Sequence, residues 1–252
     1  MSAVRVVVID WTDTGCSLPI GRRPSRIWRV GRRGGVIARP VYGPCRGGRT
    51  QSPNTWKVRA VAAHLGIPLE LEFVDLTKPR GADYLRLNAS GRTPTLVDGD
   101  LTLAESNAIL QYLASQKPNS LWPDDPAQRA QITGWQCWQL AHWGAEACQP
   151  LIFNRLVKKL LNLGPPDEAS LARATEAFHK EAKILDAHLA KQPYLVGNGV
   201  TLADFAVAAN LFYAKEGELP LAPYAGIQDW FGRVSAVPAW RETAPQRPAA
   251  AA

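Results

Sequence analysis

From residue 53 onward the hydrophobic positions follow two successive rhythms. Val58, Val61, Ala62 and Leu65 recur at i, i+3, i+4 and i+7, which predicts one face of a helix, and Gly66 behind them predicts its end. "PLELEFVDL" (68–76) alternates and then turns apolar, the pattern of a strand. "ADYLRLN" (82–88) predicts a short helix. "TPTLVDGDLTL" (93–103) predicts two short strands joined at Asp98-Gly99, a strong hairpin signal. "AESNAILQYLASQ" (104–116) returns to helical spacing with Ile109, Tyr112 and Leu113 inward.

Beyond the proline-rich "KPNSLWPDDP" (117–126) every segment reads helical. A long element is expected from Ala127 to Leu163, bent near Gly144 or Pro150. "PPDEASLARATEAFHKEAKILDAHLAKQ" (165–192) predicts a second helix. "GNGVTLADFAVAANLFYAK" (197–215) predicts a third, opened by a capping box of Thr201 and Asp204. "GIQDWFGRVSAVPAW" (226–240) closes the helical part. An α/β segment over 51–117 followed by an all-helical one over 125–243 implies two packed domains.

The first 50 residues have no helical period. Two runs, "VRVVVIDW" (4–11) and "GVIARPVYG" (35–43), have strand character, and "GRRPSRIWRVGRRGG" (21–35) between them reads as loop or disorder. Charge sets this leader apart. The whole chain carries +7, yet residues 1–52 alone hold ten Arg, no Lys and two Asp, a net of +8. The remainder is balanced at −1, so the basic footprint of a nucleic-acid-binding domain is absent from the main body. No stretch approaches the length of a spanning helix, and the N-terminus lacks the features of a secretory signal. Cys137 and Cys148 lie too far apart on one helix for a disulfide, no Cys/His spacing fits zinc, and the usage suits a reducing cytoplasm.

The strongest signal is a set of ordered motifs. "NASGRTPTLVDGDLTLAESNAILQYLA" (88–114) resembles the glutathione-site core of the glutathione S-transferase family, and "GVTLADFAVAA" with "WFGRVSAVPAW" resembles segments of its helical domain. The resemblance spans about residues 51–243. It implies a thioredoxin-like domain followed by a helical bundle, glutathione as co-substrate, a small hydrophobic electrophile as second substrate, and a homodimer. It also implies a cis peptide at Thr93-Pro94, with the Thr93 backbone pairing to the cysteinyl part of glutathione. Glu105 and Ser106 at the start of a helix would take the γ-glutamyl ammonium and carboxylate, or would simply cap that helix. Lys78 and Arg80 lie where a basic contact to the tripeptide belongs, or on a solvated face.

Ser52 is an expected helix cap beside Pro53. It also stands 14 residues before Gly66, the spacing at which theta-like members of the family carry a catalytic serine. In that role its hydroxyl hydrogen-bonds the glutathione thiolate and lowers the thiol's pKa. Asn54 is a second candidate donor, and "SPN" resembles the Thr-Pro-Asn start of nu-like members that reduce disulfides. Trp143 and Phe153 are candidate walls of the electrophile pocket. Three functions are therefore weighed: glutathione conjugation, glutathione-dependent disulfide reduction, and a non-catalytic binding module on the same fold. The resemblance stops upstream of Ser52. The leader is read first as a misassigned start, with a targeting extension and an insertion between strand and helix as alternatives. If "GVIARPVYG" serves as the missing central strand the site is expected to survive; if it does not, the sheet is expected to be incomplete.

Overall fold

A computed structural model describes residues 4–10, 52–75 and 79–245 of the chain. Its N-terminal part is a four-stranded sheet in the order β2-β1-β3-β4, formed by Val4–Asp10 (β1), Leu69–Asp75 (β2), Thr95–Asp98 (β3) and Leu101–Leu103 (β4). β1 runs parallel to β2, with Val6 opposite Leu71, and antiparallel to β3, with Val6 opposite Leu96. The interior strand next to β3 is thus Val4–Asp10. It does not come from "GVIARPVYG", which lies outside the described residues, as does the rest of 11–51. The expected hairpin forms at Asp98-Gly99, with Gly99 at φ 58° as a tight turn requires.

Helix α1 (Pro53–Leu65) packs on α3 (Ser106–Ala114) and ends at Gly66, whose φ of 64° is the left-handed cap that glycine adopts at no steric cost. The short α2 is Ala82–Leu87. α1 is buried far beyond the face that periodicity predicts: Thr55, Trp56 and Lys57 are as inaccessible as Val58 and Val61. The extra coverage comes from the C-terminal domain. The Trp56 ring lies tilted against Trp240 at 3.8 Å, and its Nε1–H donates to the Trp240 carbonyl at 3.1 Å, so α10 (Pro238–Glu242) holds the back of α1.

The long helical element is one run of successive turns over 126–161. α4 (Pro126–Trp138) is followed by π-helix over Gln139–Cys148, a short α5 (Gln149–Ile152), π-helix again over Phe153–Val157, and α6 (Lys158–Leu161). Gly144, one of the two expected bend positions, lies inside the first π segment. A Cβ there would stand 2.7 Å from the Gln139 carbonyl, so only glycine fits. π turns are concentrated at functional sites in proteins; the first segment borders both cavities described below and the second borders one of them. α7 (Glu168–Leu189) is capped by Asp167. α8 (Leu202–Ala208) is shorter than the sequence pattern predicts: a 3₁₀ turn over Ala209–Leu211 and looser turns to Glu218 replace its second half. α9 is Ala225–Ser235.

The capping box opens α8 as expected, and its acid does more than cap. The Asp204 carboxylate accepts hydrogen bonds from the Thr201 N–H (2.8 Å), the Thr201 hydroxyl (2.9 Å), the Leu195 N–H (2.9 Å) and Trp230 Nε1–H (2.8 Å). It is fully buried, and burial pushes its carboxyl above the usual range while the four donors pull it back.

Candidate functional site

Two cavities meet between the domains. The first, about 590 Å³, is bordered mainly by polar groups of the N-terminal domain, among them Arg80, Arg92, Thr93, Glu105 and Ser106. The second, about 560 Å³, is bordered mainly by apolar side chains of the helical domain, including Ile152, Phe153, Leu156, Val157 and Leu160. Asn54, Ala145 and Gln149 line both, and Ser52 lines the apolar one. An anionic or zwitterionic ligand suits the polar cavity and an apolar one its neighbour.

The polar cavity rests on a loop tied down from behind. Tyr84 on α2 donates to the Arg92 carbonyl at 2.6 Å and shares a 2.9 Å hydrogen bond with the Thr95 hydroxyl. Asn88 Nδ2 donates to the same Arg92 carbonyl and to Thr95 Oγ1, while Asn88 Oδ1 accepts from the Ser90 N–H and hydroxyl. Burial pushes the Tyr84 phenol above its ordinary value, so it stays a neutral donor. The Thr93-Pro94 peptide held by this lattice is cis, as expected. Arg80 borders the cavity with its Nε donating to the Gly91 carbonyl at 3.0 Å. Lys78 lies outside the described residues.

At the start of α3, Glu105 has φ 66°, a backbone conformation that costs a non-glycine residue about 1–3 kcal/mol. Its carboxylate makes no capping bond to its own helix. The exposed acid borders the cavity. Ser106 beside it is buried, and its hydroxyl donates to Asn54 Oδ1 at 3.3 Å, linking the starts of α3 and α1.

Ser52 is the N-cap of α1. Its Oγ accepts from the Thr55 N–H at 3.4 Å, a long cap contact, and its carbonyl accepts from the Trp56 N–H at 2.9 Å. Capping uses a lone pair of the hydroxyl and leaves its O–H hydrogen to donate elsewhere. Cap and thiolate donor are thus compatible in one geometry.

Phe153 lines the apolar cavity and is 43% exposed. Trp143 does not reach it. Its ring is wholly buried, stacked on Trp138 at 5.7 Å and tilted against Phe178 at 5.0 Å, so its expected role as a pocket wall is corrected to core. The reason is helix phase: the π turns carry Ala145, Gln149 and Phe153 toward the cavities and Trp143 into the bundle.

Sequence reasoning missed the buried polar chain beneath the site. Lys57, 0% exposed, donates from Nζ to Asn107 Oδ1 at 2.6 Å. Asn107 Nδ2 donates to Gln139 Oε1 at 3.1 Å and to the Gln136 carbonyl at 3.2 Å, and Gln139 Nε2 donates to Asn210 Oδ1 at 2.9 Å. Gln139 lines the polar cavity and Asn210 the apolar one. Desolvation lowers the Lys57 ammonium to about 7, and the Glu105 carboxylate opposes that shift. The overlooked signal was a lysine only three residues after Asn54 in a helix flanked by apolar positions; the bland expectation for it is a solvated side chain.

The chain matches two family models: glutathione S-transferase, N-terminal domain, over residues 51–116, and glutathione S-transferase, C-terminal domain, over 149–238. It is 35% identical over 206 residues to glutathione S-transferase 3 of Zea mays, an alignment covering 78% of this chain and 90% of that one. It is 33% identical to glutathione S-transferase GstB of Escherichia coli K12, covering 77% and 94%. Among solved structures, glutathione S-transferase III in apo form superposes with a TM-score of 0.71 at 27% identity, covering 98% of this chain and all of that one. The motifs, the two-domain fold and these relatives agree: the chain belongs to the glutathione S-transferase family and is an enzyme with glutathione as its co-substrate.

Proposed function

We propose that the enzyme conjugates glutathione to small hydrophobic electrophiles through a thiolate stabilised by Ser52. In this reading the γ-glutamyl end lies in the polar cavity. Glu105 takes its ammonium, while Ser106 and the first-turn amides of α3 hold its carboxylate. The Thr93 backbone pairs with the cysteinyl segment, and Arg80 faces the glycyl end. Lys78 remains a candidate for that end from the sequence alone. The sulfur then reaches the junction of the cavities, where Ser52 and Asn54 stand. The Ser52 hydroxyl donates to the thiolate, and its preference for that charge lowers the thiol's pKa. The thiolate attacks an electrophilic carbon held in the apolar cavity against Phe153; a C–S bond forms, and the displaced group or the added carbon takes the electron pair.

The observation that carries this reading is the joining of a polar and an apolar cavity at Asn54, with Ser52 on the apolar side. The reading includes a cytoplasmic homodimer with a detoxifying role, the oligomer being measurable by light scattering. The test is turnover with an aryl halide and glutathione: the parent turns over, and Ser52→Ala loses one to two orders of magnitude near neutral pH, as removal of one hydrogen bond to a charged group of about 1.5–3 kcal/mol requires. Retained turnover in the variant would remove Ser52 from the chemistry.

The position of Asn54 on both cavities favours a second reading, glutathione-dependent disulfide reduction. There the bound thiolate attacks one sulfur of a disulfide, expelling the other as thiolate, and a second glutathione resolves the mixed disulfide. Activity toward a small dialkyl disulfide exceeding that toward the aryl halide selects this reading. Binding of glutathione with neither activity selects the non-catalytic module.

A further inference from the structure

Lys57 is a fully buried lysine whose side chain sits between α1, the start of α3 and the first π segment of the helical domain. An ammonium group can only donate, so the Asn107 oxygen must face it. That choice orients the rest. Asn107 donates its NH2 onward to Gln139 and to the Gln136 carbonyl, and Gln139 donates to Asn210. Asn107 and Gln139 therefore each accept on the side of Lys57 and donate away from it, and Asn210 accepts at the end of the chain. Hydrogen bonds aligned in one direction polarise one another, and the effect is largest where water is excluded. Asn107, Gln139 and Asn210 are all less than one-tenth exposed.

We propose that Lys57 is a positioning residue whose charge, carried through Asn107, Gln139 and Asn210, raises the positive potential where the two cavities join and so favours the glutathione thiolate. The proposal rests on the glutathione reading above. It explains why a cation is kept in the core, where an apolar residue of the same shape would cost less. Among the described residues the charge that acts on Lys57 is that of Glu105, at the start of α3; the amides that touch it are neutral. Glu105 is the proposed partner of the ligand's ammonium, so ligand binding satisfies Glu105 from outside while Lys57 meets it from beneath. Since the ammonium is lowered to about 7, thiolate formation and Lys57 protonation support each other at neutral pH.

The experiment is a pH titration of the bound thiolate's ultraviolet absorbance in the glutathione-loaded parent, Lys57→Met and Gln139→Leu. Loss of a nearby buried charge should move the titration alkaline by about one pH unit, a tenfold loss of thiolate on its acid side. Gln139→Leu, which leaves the Lys57–Asn107 bond in place, should shift it in the same direction. Affinity of Lys57→Met for S-methylglutathione, which has no ionisable thiol, should stay within about twofold of the parent. A parent-like titration in Lys57→Met overturns the proposal, and should that variant fail to fold, a parent-like titration in Gln139→Leu does so. Failure of the parent itself to bind S-methylglutathione overturns the glutathione reading instead, so the two failures are distinct.

Discussion

Three charged side chains are buried among the described residues, Lys57, Glu181 and Asp204, and the surroundings of Lys57 and Asp204 differ in kind. Asp204, in the helical domain, receives four hydrogen bonds from three residues on separate segments. Lys57, under the cavities, is held by Asn107. Burial drives both toward their neutral forms, the acid upward and the lysine down to about 7. For Asp204 four hydrogen bonds oppose that shift, and the product is a fixed geometry joining the loop before α8, α8 itself and α9. For Lys57 the Glu105 charge opposes it, and the product is a charge close to a site. A fully satisfied buried ion stabilises structure; a sparingly satisfied one next to a cavity is a candidate for function.

The largest effect that separates the two is expected at Asp204. Asp204→Ala leaves the Leu195 N–H and Trp230 Nε1–H buried without acceptors. That should cost about 3–5 kcal/mol and lower the melting temperature by roughly 10 °C, with the specific activity of the remaining folded protein unchanged. A parent-like melting curve with poor turnover would reverse the assignment.

Lys57 should show itself in the pH dependence of stability. Its folded pKa is lowered, so between about 7 and the ordinary lysine value near 10.5 the unfolded chain holds a proton that the folded one does not. Unfolding takes up that proton, and stability rises with pH across the window, by about 2 kcal/mol from pH 7 to 9. The buried Cys148 thiol and the Tyr84 phenol, both pushed up, act in the opposite sense in parent and variant alike. Denaturant unfolding should therefore show the stability of the parent relative to Lys57→Met rising over this range; a constant difference would mean that Lys57 is not protonated differently in the two states.

Next in size are the residues proposed to face the ligand. Glu105→Gln and Ser106→Ala should each weaken glutathione binding by ten- to hundredfold, the worth of a charge-assisted hydrogen bond of about 1.5–3 kcal/mol, with little change in melting temperature. Calorimetric titration checks this, and unchanged affinity in both would detach the start of α3 from the site. Smallest is Phe153→Ala. Because Phe153 is 43% exposed, its loss should raise KM for an apolar electrophile by less than about tenfold and leave glutathione affinity alone. Trp143→Ala, in contrast, should unfold before it changes specificity.

Most of the fold was legible because its signals are local. Periodicity marked α1, α3 and α7, Asp98-Gly99 marked the hairpin, and Gly66 marked the end of α1. The second half of the expected third helix was not legible: "ANLFYAK" has helical composition, yet the chain turns there to line the apolar cavity with Asn210 and Tyr213. Trp143 and Phe153 were indistinguishable in sequence, since both are aromatic residues on one long helix. The π turns altered the phase between them, and a π turn has no compositional mark.

By itself the sequence determined the order of elements, the cis-proline loop, the capping box and the family, all of which depend on residues close together or on ordered motifs. Only the tertiary structure decided that Val4–Asp10 is the interior strand, that Asn54 stands where two cavities meet, and that Lys57 is inside. The physical reason is the same in each case. Strand pairing, cavity walls and the burial of a charge are set by what packs against a segment, and for α1 that partner is supplied by α10, more than 170 residues further along the chain.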